Sequence, residues 1–321
     1  MKFIQQYLKS TENFGTYILT GIFVFLGLLI GNFTTLLLAY ALAPNLHVSA
    51  DGNPFAQFDT NTQLILIMLP FVFALYALML SIRYVHKRPI LSLFTARSKF
   101  DWKRYFFAFG VWLTILLVML AILVATSENQ VFWNLNGSTF LMLVAISLVL
   151  FPIQTAAEEA FFRGWLFQGI GKRFKHAWLS ILITGIIFGL MHGANPEIEK
   201  IGYGIFAYYI LSGIFLGIIA HLDDGLELGM GYHAANNIFA SVILTNDWQA
   251  FHTDAMFIDT APPSFGWDAI LTLAIIQPLF LLIFGKVYKW KNWRTQLFKS
   301  YEDGPSNPPT RNSNKELIDD L

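Results

Sequence analysis

Eight apolar runs dominate this chain, at about 16–43, 63–82, 105–125, 140–172, 177–194, 203–220, 226–245 and 267–288. Crossing a bilayer takes roughly 20 mainly apolar residues in an α-helix, because a helix satisfies its own backbone groups in lipid. So many runs of that length predict an all-α fold: a polytopic transmembrane helix bundle of about eight spans. Composition agrees with this. Only 13% of the 321 residues are charged and 55% are hydrophobic, whereas a soluble domain carries about 25% charged residues. The net charge of zero gives no reason to expect a nucleic-acid partner. The absence of cysteine excludes a disulfide framework, Cys-ligated zinc, Fe–S clusters and thiol catalysis.

Two local features qualify the pattern. The run at 140–172 is too long for one straight crossing and contains Pro152, which predicts a kink or two packed segments. At the start, "MKFIQQYLKSTENFG" lacks the compact apolar core and small-residue cleavage site of a signal peptide. Phe3, Ile4, Tyr7 and Leu8 would share one helical face, which predicts a short helix lying on the membrane surface.

Orientation follows from the basic residues. Arg83, Lys87, Arg88, Arg97, Lys99, Lys103 and Arg104 fall in one loop, and Lys172, Arg173 and Lys175 in a turn. Lys286, Lys289, Lys291, Arg294 and Lys299 lie around and after the end of the last run. The segments 44–62, 126–138 and 246–266 hold no Lys or Arg. Eight spans put every basic cluster on one side, the cytoplasmic side by the positive-inside rule, with both termini there. Lys200 is the exception, beside Glu197 and Glu199.

Three of the runs carry ionisable or amide side chains, which are unfavourable in lipid and normally face a bundle interior with a partner. In "TAAEEAFFRGWLF" the helical period sets Arg163 one turn from Glu159 and nearly aligned with it, while Glu158 points elsewhere. Glu159 is therefore expected in an ion pair and Glu158 free for chemistry; the plainer alternative is one buried salt-bridge cluster locking two helices. In "FGLMHG" Phe188 and His192 are one turn apart, and in "GYHAANNIF" His233 and Asn237 are. Hydrogen-bonded helix contacts would account for each of these alone. Depth separates the readings. At 1.5 Å per residue, Glu158 and His192 both lie roughly 21 Å from the basic turn, and Asn237 lies roughly 18 Å in, with His233 a turn shallower.

One Glu, two His and one Asn in nearly one layer equip a pocket for water-mediated amide hydrolysis. A carboxylate is the base, an imidazole orients the water, and donors meet the developing oxyanion. The same four could instead ligate a metal that activates the water. No HExxH, Gly-x-Ser-Gly or Gly-x-Gly-Asp element is present.

Glu-Glu-x-x-x-Arg (Glu158, Glu159, Arg163), Phe-x-x-x-His (Phe188, His192) and His-x-x-x-Asn (His233, Asn237), in this order on separate helices, resemble the CAAX-protease and bacteriocin-processing (CPBP, or Abi) family. That family includes the eukaryotic CAAX prenyl endopeptidase. The resemblance covers about 140–245. It implies an intramembrane endopeptidase in which Glu158 and His192 activate water, His233 and Asn237 complete the site as oxyanion donors or metal ligands, and Glu159, Arg163 and Phe188 support it. Family members have been described as metalloproteases and as glutamate-dependent proteases. A divalent metal such as zinc is therefore a possible cofactor, with Glu158, His192, His233 and Asn237 as its candidate ligands.

The expected organisation is an N-terminal membrane region at 1–139, a catalytic core at 140–245, an outer loop and last span at 246–299, and a disordered polar tail at 300–321. Expected partners are the lipid bilayer and a peptide or protein substrate, in a prokaryotic plasma membrane. The alternatives are a proton-coupled carrier, disfavoured because no second broken helix or inverted repeat is evident, and a noncatalytic peptide-binding or self-immunity protein.

Overall fold

The computed structural model describes residues 2–10, 12–45, 54–126 and 130–301. It is an all-α bundle. The helices are α1 (Phe14–Leu42), α2 (Thr60–Tyr84), α3 (Trp102–Thr126), α4 (Gly137–Glu159), α5 (Phe167–Phe174), α6 (Ala177–Met191), α7 (Pro196–Ile201), α8 (Ile205–Leu222), α9 (Glu227–Ile238), α10 (Trp267–Leu271), α11 (Gln277–Val287) and α12 (Trp293–Phe298). A π-helical stretch, Ala160–Leu166, joins α4 to α5, so the long fourth run is one helical passage of 38 residues. Among the described residues seven helical passages are long and apolar enough to cross a membrane, against the eight expected. The missing one is α9. It has 12 residues, extended by the π-helical Phe239–Ile243, and its side chains are nearly all buried in protein. A helix enclosed by other helices needs no lipid-compatible surface, which leaves room for Glu227, His233, Asn236 and Asn237.

The chain nevertheless passes through the bundle eight times, because its connections sort to two ends. At one end Lys2 meets Asp224 (2.7 Å), Arg97 meets Asp223 and Glu227 (3.0 Å each), and Trp290 donates to Asp223 (3.0 Å). The acidic "HLDDGLE" turn thus neutralises guanidinium groups of the basic loop. Glu12, fully buried, receives His86 at 2.9 Å and Arg88 at 3.4 Å. At the other end lies a small sheet of β1 (Val131–Trp133), β2 (Leu244–Thr245) and β3 (Phe257–Asp259). There β3 is central, antiparallel to β1 and parallel to β2. Thr60 also donates to Asp254 there (2.7 Å).

Burial pushes the Asp223 carboxyl up from 3.8 to about 6, although Arg97 and Arg104 pull it down. The folded value is the higher one. The stability it contributes is therefore complete below the unfolded value and lost as pH rises through about 6. Thermal unfolding in detergent should carry this component in the wild type between pH values of about 4 and 6. Asp223→Asn should lack it; an identical pH profile for the two proteins would contradict the assignment.

Two terminal expectations change. The N-terminal segment is helical (Phe3–Lys9, a 3-10 helix), but Phe3, Ile4 and Tyr7 are buried against protein, with Ile4 seated over Gly171 of α5. Its apolar face is thus turned to protein and not to lipid, because the bundle offers that face a closer partner. At the other end, Ser300 bridges to His176, and Tyr301 is buried, its N–H donating to the Lys175 carbonyl (2.7 Å). The first two residues of the expected disordered tail are therefore docked; the rest of it, 302–321, lies outside the described residues.

Close helix approach positions the site. Lipid gives apolar side chains no reason to pair, so contact between spans depends on small residues and polar groups. A Cβ on Gly213 of α8 would stand 2.9 Å from the Gly185 carbonyl of α6, so those two helices touch backbone to backbone. On α9, a Cβ on Gly231 would collide with the Tyr105 carbonyl of α3. The apolar core runs across the expected domain boundaries: Trp112 of α3, Phe215 of α8, Leu228 of α9 and Phe280 of α11 share one cluster.

Candidate active site

The site is built where α4, its π-helical continuation and α9 meet. Arg163 Nη1 donates to Glu159 Oε1 at 2.8 Å, with the Arg163 and Glu159 side chains only 0% and 1% exposed. This is the expected i,i+4 pair. A second arm of the guanidinium donates to the Gly213 carbonyl (3.2 Å), and the Phe188 ring lies 4.1 Å from Arg163 Cζ. Phe188 therefore covers the cation, which gives its place in Phe-x-x-x-His a physical meaning.

Glu159 has another partner. His233 Nδ1 lies 3.0 Å from the same Glu159 oxygen. A carboxylate already paired with arginine is acceptor-only, so Nδ1 carries the proton and Nε2 faces away from Glu159. His233 Nε2 stands 3.7 Å from Glu158 Oε2. The sequence reading separated an architectural Glu159 from a chemical Glu158; the fold joins them through His233.

Glu158 Oε1 accepts a hydrogen bond from Gln154 Nε2 (2.6 Å), and Gln154 Oε1 accepts one from Asn237 Nδ2 (3.0 Å). Glu158 Oε2 has no hydrogen-bond partner. Asn236 reaches inward too, donating to Asn237 Oδ1 (3.3 Å) and accepting from Trp112 Nε1 (3.3 Å). Gln154, one turn before Glu158, was missed by the sequence reading, although a glutamine in an apolar run at that spacing was the available signal.

His192 ends α6. Its Nδ1 lies 2.8 Å from the Phe188 carbonyl, and its ring stacks on Tyr209 of α8, centroids 4.2 Å apart and 20° from parallel. No ion pair within 4 Å joins it to Glu158 among the described residues; the imidazole beside Glu158 is that of His233. Both histidines have Nδ1 engaged, which leaves Nε2 of each for a substrate or solvent. Tyr209 had no sequence signal, because only the packing of α8 against α6 brings it there. Nearby, burial pushes the Glu197 carboxyl above the usual carboxylate range, although backbone N–H groups of Glu197 and Ala250 and the His192 charge pull it back.

No three His, Asp or Glu side chains among the described residues stand together as one ion would require. Of the four candidate ligands, Glu158 and His233 converge, while His192 is drawn toward Phe188 and Tyr209 and the Asn237 oxygen accepts from Asn236. The arrangement does not fit a metal, and no step below uses one.

A helical bundle with this many apolar passages is that of an integral, multi-pass membrane protein. Residues 137–239, which hold Gln154, Glu158, Glu159, His192, His233 and Asn237, match the family model "Rce1-like: Type II CAAX prenyl endopeptidase Rce1-like". Along most of its length the chain is also similar to "Uncharacterized protein YyaK" of Bacillus subtilis (strain 168). The two are 28% identical over 279 residues, which is 86% of this chain and 90% of that protein. No solved structure matches.

Proposed function

We propose that this protein is an intramembrane endopeptidase that hydrolyses a peptide bond with water activated by Glu158. The observation that carries the reading is the unpartnered Glu158 Oε2 facing His233 Nε2, inside a segment that matches a peptidase family. Glu158 takes a proton from water as the oxygen attacks the carbonyl carbon. Asn237, with one Nδ2 hydrogen beyond the one given to Gln154, meets the oxyanion, while His233 Nε2, whose ring proton is on Nδ1, accepts from the water and orients it. Glu159 and Arg163 hold the His233 tautomer. The C–N bond then breaks as the amine nitrogen takes the proton that Glu158 removed from water, which returns Glu158 to a carboxylate. In this reading the protein sits in a prokaryotic plasma membrane with its basic end cytoplasmic.

The test is cleavage of peptide or membrane-protein substrates by the purified full chain in liposomes, with elemental analysis of the active sample for bound metal. No cleavage by the wild type across such substrates would sink the reading. A carrier would instead show substrate flux across the same liposomes. Within the reading, Gln154→Leu should lower kcat/KM about ten- to a hundredfold, because it releases both Glu158 and Asn237 from their bridge. Cleavage kinetics at unchanged melting temperature measure this, and an unaltered rate would show that the bridge positions nothing.

A further inference from the structure

Glu197 is a carboxylate that the proposed reaction leaves unused. It lies in α7, five residues beyond His192. Its Oε1 accepts the Ala250 N–H at 3.0 Å, whereas its Oε2 is buried without a hydrogen-bond partner. Asn195, two residues before Glu197, donates to the Tyr209 hydroxyl (3.5 Å), and the Tyr209 ring stacks on His192. The free oxygen thus lies beside the candidate site, on the end away from the basic clusters. A buried, unpaired carboxylate oxygen is unfavourable until something donates to it. No cation of this chain forms an ion pair with Glu197 among the described residues, and Lys200 on the same short helix is exposed.

The surroundings have the same sign. Among the described residues the connections at this end hold Asp59, Glu197, Glu199, Asp247, Asp254 and Asp259, and Lys200 is their only Lys or Arg. Such a surface concentrates cations and steers them inward.

We propose that this site takes cationic peptide segments: a Lys or Arg side chain of the substrate pairs with Glu197 Oε2 while a neighbouring peptide bond lies between Glu158 and His192. Placement of the peptide bond rests on the peptidase reading; pairing of a cationic side chain with Glu197 does not.

The experiment uses the full chain in nanodiscs, carrying Glu158→Gln so that bound peptide is not consumed. Fluorescein-labelled peptides of one common sequence, with Lys or Gln at each position in turn, are titrated by anisotropy. At one position the Lys peptide should bind about tenfold more tightly than its Gln counterpart. Adding Glu197→Gln, which keeps the bond to Ala250, should equalise the two. Glu197→Lys should reverse the preference toward peptides with Glu at that position. Equal affinities with Glu197 present, a lysine preference that survives Glu197→Gln, or no binding by any peptide each overturns the proposal. Cleavage by the protein with Glu158 intact is scored separately. Lysine preference without cleavage removes the peptidase reading and leaves Glu197 its cation; cleavage without lysine preference does the reverse.

Discussion

Glu158→Gln should abolish peptide cleavage while leaving the bundle intact. A general base contributes about a hundred- to ten-thousandfold to rate, and an amide has no carboxylate lone pair to take the proton of water. The fold has little reason to react. The Glu158 side chain is 16% exposed against 1% for Glu159, and its one firm bond is the acceptance from Gln154, which a glutamine carbonyl can repeat. The measurement is kcat/KM for the variant and the wild type, with thermal unfolding of both in detergent. Wild-type cleavage by Glu158→Gln would mean that another group activates water. A collapse of melting temperature would mean that Glu158 is structural.

The opposite pattern is expected one residue on. Glu159→Ala leaves the buried Arg163 guanidinium without its ion-pair partner and takes the acceptor from His233 Nδ1. Breaking a buried ion pair on one side costs about 3–5 kcal/mol, because the stranded charge stays out of water. That is a large share of the roughly 5–15 kcal/mol by which folded domains are stable. The expected outcome is a strongly lowered melting temperature and poor recovery from the membrane. A double variant separates fold from chemistry: Glu159→Met with Arg163→Met removes both charges, and apolar replacement of a whole buried pair is often neutral or better. It should recover the fold but not the activity, since His233 no longer has the carboxylate that sets its tautomer. A Glu159→Ala protein melting like the wild type would refute the buried pair. Full activity in the double variant would refute the role of Glu159 in orienting His233.

These two outcomes mark how far the sequence could be read. The Glu159–Arg163 pair was legible because i,i+4 geometry belongs to one helix and needs no knowledge of its neighbours. The gathering of basic residues at one end was legible because the positive-inside rule acts segment by segment. The bond from His233 to Glu159 was not, since the two lie 74 positions apart and meet only through the approach of α4 and α9. The same holds for His192. Depth counting put it level with Glu158, but depth fixes height along the membrane normal and leaves rotation open, and it could not show that Nδ1 bonds the Phe188 carbonyl and the ring stacks on Tyr209. The N-terminal helix was misread for a related reason: an apolar face identifies what must be buried, not what buries it.

By itself, then, the sequence determined the all-α membrane bundle, the sorting of its ends by charge and the ion pair within one helix. Each is a local matter of hydropathy, charge or the 3.6-residue period. The tertiary structure alone decided which histidine stands beside Glu158, which carboxylate orients it, and that Glu197 Oε2 is left buried and unpaired beside the site. The physical reason is that helix rotation and approach in a bundle are set by where small residues such as Gly213 and Gly231 let backbones touch, and that depends on every neighbouring helix at once.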